Sequence, residues 1–199
     1  YLGMGHQSAI AYGNDFLPGY HGNTSHIDGL EFDFIIVHES GHEWWGNAIT
    51  TNDIADMWVQ EGFCTYSEVL YVECLHGYES MLKYVNNQKS RIKNDKPIIG
   101  PYHVNKEGSG DMYQKSSLML HTLRTLIEDD KLWFEILKGI LNKFTFLLSG
   151  FLIELLIGSK IFLSSNILCA FEINLFLYLV NNALSSRSSF KIFTHSSFV

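Results

Sequence analysis

Proline and cysteine are both scarce, with three of each in 199 residues. Cys64, Cys74 and Cys169 are odd in number and irregular in spacing, which excludes a disulfide framework as the organiser of the fold. On one helix, Cys64 and Cys74 would stand about 15 Å apart along the axis, too far for a bridge. Basic runs are missing as well. With 14 Lys and Arg against 21 Asp and Glu, the net charge is −7 and scattered, which argues against nucleic acid as a partner. No uncharged apolar run reaches bilayer length, because Glu154, Lys160 and Glu172 interrupt the most hydrophobic stretch. A membrane anchor is therefore not expected. Apolar residues are plentiful: at 46% of this length they suffice for one buried core.

Against that ordinary background stands His38-Glu39-Ser40-Gly41-His42, with Glu61 nineteen residues beyond the second His. Positions i and i+4 of a helix lie one turn apart on one face, so His38 and His42 can direct their imidazoles at one ion. Two His and one carboxylate leave a fourth tetrahedral position open, which distinguishes a catalytic from a structural zinc. Glu39 is offset by about a quarter turn, within reach of water at that position but not a ligand itself. Without this chemistry, His38 and His42 are two partly buried helix histidines. A random chain of this composition contains the five-residue motif with a probability of roughly 2%, and Glu at the matching position lowers that to about one in a thousand. Zinc is the expected ligand, one ion per chain.

The flanks carry a family resemblance. His38 to Asn47 reads His-Glu-Ser-Gly-His-Glu-Trp-Trp-Gly-Asn, and Trp58 to Glu68 reads Trp-Val-Gln-Glu-Gly-Phe-Cys-Thr-Tyr-Ser-Glu. Tyr113-Gln114-Lys115-Ser116 resembles a Tyr-x-Lys-Gly motif, and Leu2-Gly3-Met4-Gly5-His6-Gln7 a Gly-x-Met-Glu-Asn/His motif near the start. In this order and spacing, the four segments resemble the aminopeptidase N family of gluzincin zinc peptidases, peptidase family M1, over residues 1–143.

The resemblance implies an α+β, mainly helical, thermolysin-like catalytic domain, here partial and expected to be a fragment of a longer protein. It implies zinc on His38, His42 and Glu61, with peptide as substrate. Glu39 would be the general base acting on zinc-held water, and Tyr113 the phenol donor to the developing oxyanion. Glu68, seven residues after Glu61 on the same helical face, would fix the tautomer of a ligating His; its plainer reading is a solvated helix carboxylate. Gly3, Met4 and Gly5 would lie beside the substrate. Two departures bear on activity. Gly5 stands where the family has the Glu that binds the substrate's free α-amine, and glycine offers that ammonium no partner. Ser116 replaces the glycine after Lys115. The alternative to an aminopeptidase is therefore an inactive zinc- or peptide-binding fragment.

Along the chain, residues 1–13 read as a strand and 14–29 as irregular loop. Asp28 and Glu31 fit a capping box opening a helix that carries Phe32, Phe34, Ile35, Ile36 and Val37, apolar nearly all round and so expected to be buried. A second helix is expected over 57–76, a mobile segment over 94–110, a third helix over 111–128 and a fourth over 130–143. From Thr145 to Val199 only five of 55 residues are charged. That stretch, 144–199, is expected to be a tail without a selected fold, following a lost reading frame or splice boundary.

Overall fold

The structure is a computed structural model that describes residues 3–15, 17–24, 27 and 29–147. The chain divides into two units, 1–130 and 131–199.

Residues 3–12 form a hairpin rather than the single strand expected. Strand β1 (Gly3–His6) pairs antiparallel with β2 (Ala9–Tyr12), with Gly3 opposite Tyr12 and His6 opposite Ala9. The turn is Gln7-Ser8, where Ser8 takes φ +62°. No Asn-Gly or Asp-Gly marks it, so the sequence reads as continuous alternation. The Ser8 amide donates to Glu43, which ties the turn to the chain just after α1.

The loop that follows is closed by polar side chains. Tyr12 donates through its hydroxyl to Asp33 Oδ2 at 2.7 Å, and Asn14 Nδ2 to the Leu17 carbonyl at 2.6 Å. Helix α1 (Phe34–Gly41) then begins at Asp33, not at the expected box. Asp33 Oδ1 accepts from the Ile35 and Ile36 amides, both at 3.2 Å. Glu31 lies outside the helix, and Asp28 outside the described residues. A carboxylate directly ahead of the apolar run satisfies the free amides that Asp28, five residues earlier, could not reach. Phe32 is buried ahead of the cap, while Ile36 is 37% exposed. The helix is thus buried on one face, through Ile35, His38 and Gly41, and not all round.

Helix α2 (Met57–His76) is the central element and has the bounds expected; Gly77, at φ +82°, ends it. It packs against α1, α3 (Tyr78–Ser90) and α4 (Gln114–Ile127). Helix α3 was not foreseen, although its buried Met81, Tyr84, Val85 and Gln88 follow a helical i, i+3, i+4, i+7 pattern. Full burial of residues such as Val69, Val72, Met81 and Leu120 stabilises by about 1.5–3 kcal/mol each relative to exposure. The α2–α4 contact is close because of one glycine. A Cβ on Gly62 would stand 2.3 Å from Ser116 Cβ, so Ser116 is accommodated by an absent side chain across the interface.

Residues 94–110 are tied down rather than loose. The Lys93 and Asn94 amides donate to buried Asp111 at 2.9 and 2.6 Å. Further along, Gly100 N donates to Ala55 O, Tyr102 to Asp56 and Ser109 N to Pro97 O, at 2.9, 2.7 and 2.8 Å. Prolines and glycines there set a defined path rather than freedom. Arg124 on α4 clamps the far end of this unit, donating to Glu73 Oε1 at 2.9 Å and through Nε to Asp130 Oδ1 at 2.8 Å.

In the second unit, α5 (Asp130–Leu147) buries Trp133, Ile136 and Leu137 on one face. It continues to Leu147; residues 148–199, and with them the reading of a tail without fold, lie outside the described residues. Among the described residues no helix is long and apolar enough to cross a membrane.

Candidate active site

Helices α1 and α2 bring the motif residues together. The His38 and His42 rings lie 5.0 Å apart by centroid and nearly perpendicular. His38 Nε2 is 2.9 Å, and His42 Nε2 3.6 Å, from the same oxygen, Glu61 Oε2. Ligands at about 2.0–2.2 Å from a tetrahedral zinc stand roughly 3.3–3.5 Å from one another. The observed pair brackets that spacing, and two imidazoles with one carboxylate suit the ion. These residues fit zinc.

Each imidazole is held from behind, by unlike partners. His38 Nδ1 lies 2.8 Å from Glu68 Oε1, and the other oxygen of Glu68 accepts from the Tyr84 hydroxyl at 2.5 Å. Glu68 is buried, so the solvated-carboxylate reading does not hold. Burial opposes charge on His38, but hydrogen bonds with Glu61 and Glu68 outweigh it and carry the pKa up to about 10. Three carboxylates, Glu39, Glu61 and Glu68, surround the two imidazoles, an arrangement suited to a cation. His42 Nδ1 instead lies 3.0 Å from the Trp45 carbonyl and 3.2 Å from Cys64 Sγ. His38, His42 and Cys64 also bring one ligand atom each within 4.8 Å of one another. Burial and the carboxylates of Glu61, Glu68 and Glu39 push the Cys64 thiol well up, which favours S–H over thiolate. The thiol sits on the Nδ1 side of His42, opposite Glu61. Glu61 Oε2, by contrast, faces the Nε2 atoms of both histidines.

Glu39 and β1 form the next layer. Glu39 Oε2 lies 4.0 Å from His42 Nε2. A Cβ on Gly3 would stand 2.7 Å from Glu39 Oε1, and one on Gly5 2.8 Å from the Glu39 carbonyl and 2.7 Å from His42 Cβ. Both glycines are required by this close approach of β1 to α1, while Met4 is 40% exposed. The Tyr113 ring lies 5.8 Å from that of His38, at the junction of a 3₁₀ turn (Gly110–Met112) with α4. Burial, then Glu61 and Glu39, raise its phenol pKa, so its hydroxyl remains a donor at neutral pH. Lys115 points elsewhere, donating to Asn94 at 2.8 Å. Sequence reasoning missed Tyr84, Cys64 and the Trp45 carbonyl. Tyr84 was findable from the α3 periodicity; a backbone carbonyl leaves no signature.

A family model described as the Peptidase family M1 domain matches residues 1–147. The chain belongs to peptidase family M1. As a member it is similar to endoplasmic reticulum aminopeptidase 2 of Homo sapiens, at 26% identity over 118 residues, 54% of this chain and 12% of that one. It is similar to endoplasmic reticulum aminopeptidase 1 of Mus musculus at 25% identity over 111 residues, 51% and 12% of the two chains. A short segment of 35 residues is 51% identical to aminopeptidase Q of Felis catus, 18% of this chain and 4% of that one. This M1 chain thus spans about 12% of the length of the longer-matching curated relatives. An M1 zinc metallopeptidase structure from Deinococcus radiodurans matches 75% of the chain and 31% of its own, with TM-score 0.49 and 22% identity. Family membership agrees with the mainly helical α+β architecture, carried here by five helices and one hairpin among the described residues.

Proposed function

We propose that this chain carries the zinc-binding and water-activating core of a metallo-aminopeptidase that removes N-terminal residues from peptides. The observation that carries the reading is the meeting of His38 Nε2 and His42 Nε2 at Glu61 Oε2, with Glu39 alongside. His38, His42 and Glu61 would hold one zinc, which when bound supplies Lewis acidity to water and to the scissile carbonyl. Glu39 takes a proton from the attacking water and returns it to the leaving amine as general base and then acid. Tyr113, kept protonated by its surroundings, donates to the oxyanion that develops on the carbonyl. Glu68 accepts from His38 Nδ1–H and so keeps Nε2 as the metal-facing nitrogen.

The names of the M1 relatives support a peptide substrate with a free N-terminus. Gly5 limits this activity. No carboxylate stands at that position, and the loss weakens the orientation of the scissile bond as well as amine binding. One observation favours the inactive fragment as second reading: β1 lies so close to α1 that a side chain at position 5 meets His42 Cβ and the Glu39 backbone. Hydrolysis of aminoacyl amides by the wild type and by Glu39→Gln separates the two. Zinc-dependent turnover lost in Glu39→Gln supports the aminopeptidase. Bound zinc with no turnover above the variant supports the inactive fragment.

A further inference from the structure

We propose that Glu43 is a positioning residue: by holding the Ser8 amide it fixes where β1 stands along α1, and so where a peptide beside β1 meets Glu39. The link to peptide rests on the aminopeptidase reading; the placement of β1 does not. Gly3 and Gly5 share the face of β1 that lies on α1. A Cβ on Gly3 would stand 2.6 Å from Ile35 Cγ2, and one on Gly5 2.7 Å from His42 Cβ. The strand therefore runs along α1 from Ile35 to His42 with a face that carries no side chains. Glycine permits this close approach but interlocks with nothing, so packing alone does not stop β1 from sliding or lifting. Met4 and His6 alternate onto the opposite face and are exposed.

The hairpin does not hold itself. Its strands have four residues each, and an isolated two-stranded hairpin is at best marginally stable. Two-residue turns place glycine or asparagine where φ is positive, whereas here Ser8 takes φ +62°. Two polar contacts with the ends of α1 supply what the turn lacks. At the end of β2, the Tyr12 hydroxyl donates to Asp33 Oδ2 at 2.7 Å, on the residue that caps α1. At the turn, the Ser8 amide donates to the Glu43 carboxylate, two residues past the end of α1. Because Asp33 also serves as the cap, Glu43 is the contact that can be removed without opening the helix. Among the described residues β1 pairs with β2 only, so its other edge offers backbone N–H and C=O groups to an extended peptide. Glu39 lies beside that strand, with Oε1 2.7 Å from a Cβ on Gly3. Any shift of β1 moves such a peptide relative to the general base.

The test is NMR of wild type, Glu43→Ala and Glu43→Gln, reading hydrogen exchange of the Ser8 amide and the NOEs from Gly3 Hα to the Ile35 methyl and from Gly5 Hα to His42 Hβ. Wild type is expected to show a protected Ser8 amide and both NOEs. In Glu43→Ala that amide should exchange about tenfold faster and the Gly5 NOE should fade, with exchange in α2 unchanged. Glu43→Gln, which keeps an acceptor oxygen, should restore both. With zinc-loaded protein and an aminoacyl amide, kcat/KM should fall about tenfold in Ala and recover in Gln. A wild-type Ser8 amide that exchanges as an unprotected one overturns the proposal without any variant. So do wild-type exchange and NOEs in Glu43→Ala, or Gln as damaging as Ala. A hairpin that shifts in Ala while kcat/KM holds overturns the link to peptide and supports the clamp. Wild type without turnover counts against the aminopeptidase reading, and exchange and NOEs still decide the clamp.

Discussion

Glu68→Ala removes the carboxylate on which both His38 and Tyr84 depend. The pair of contacts is buried, with His38 Nδ1 at 2.8 Å and the Tyr84 hydroxyl at 2.5 Å from its two oxygens. Neither partner has room to turn to solvent: Tyr84 is 1% exposed and His38 8%. Leaving a buried polar group unpaired costs about 1–3 kcal/mol, and two such groups with partial relaxation give roughly 2–4 kcal/mol of lost stability without metal. Zinc affinity should fall about 10–100-fold, the usual effect of losing a group that orients a metal-bound histidine. Glu68→Gln is the informative partner. Its amide oxygen still accepts from His38 and its NH₂ donates to the Tyr84 oxygen, so the stability loss should stay below about 1.5 kcal/mol. Urea unfolding in the presence of chelator reads the first quantity, and chelator competition the second. Glu68→Ala with wild-type unfolding midpoint and wild-type affinity would refute the reasoning. Gln as harmful as Ala would show that charge, not hydrogen-bond pairing, carries the effect.

Tyr113→Phe should retain zinc and unfold as wild type while lowering kcat by about 10²–10³-fold, as loss of an oxyanion donor does; an unchanged kcat would remove Tyr113 from the chemistry. Gly5→Ala should destabilise by about 1–3 kcal/mol, because the added Cβ stands 2.7 Å from His42 Cβ and 2.8 Å from a backbone oxygen that cannot yield. Gly139→Ala, in a helix with nothing among the described residues within 4 Å of the added methyl, should stabilise by about 1 kcal/mol, and thermal unfolding compares the two. In a Cys169→Ser background, a thiol reagent should modify one cysteine quickly, the exposed Cys74, and reach buried Cys64 only on unfolding; two fast thiols would contradict the packing of α1 on α2. The hydrogen bond from Arg124 depresses the Asp130 carboxyl below the usual range. Its contribution is therefore present above the unfolded pKa of about 3.9 and lost as pH falls through the lower folded value. Asp130→Asn should flatten that acid limb in a stability–pH series.

The sequence made legible what depends on short-range period. His38, His42, Glu61 and Glu68 converge because i+4 on one helix and i+7 on another are fixed by 3.6 residues per turn, and the 57–76 helix matched because Gly77 ends it. Features that depend on tertiary contact were not legible. The capping box pointed to Asp28, whereas Asp33 caps α1 and also holds the Tyr12 hydroxyl, a contact between residues far apart in the chain. The Gln7-Ser8 turn has no glycine or asparagine to announce it, so two strands read as one. Ser116 looked disruptive in isolation, yet Gly62 across the helix interface makes room for it. Proline and glycine in 94–110 suggested mobility, whereas Asp111, Ala55 and Asp56 anchor that segment through distant hydrogen bonds.

Zinc content per chain, measured by elemental analysis on purified wild type, Glu61→Ala and Glu39→Gln, tests the central claim most directly. The convergence of His38, His42 and Glu61 predicts about one zinc in wild type, retained in Glu39→Gln and lost in Glu61→Ala. No zinc in wild type, or an equal content in Glu61→Ala, would contradict it.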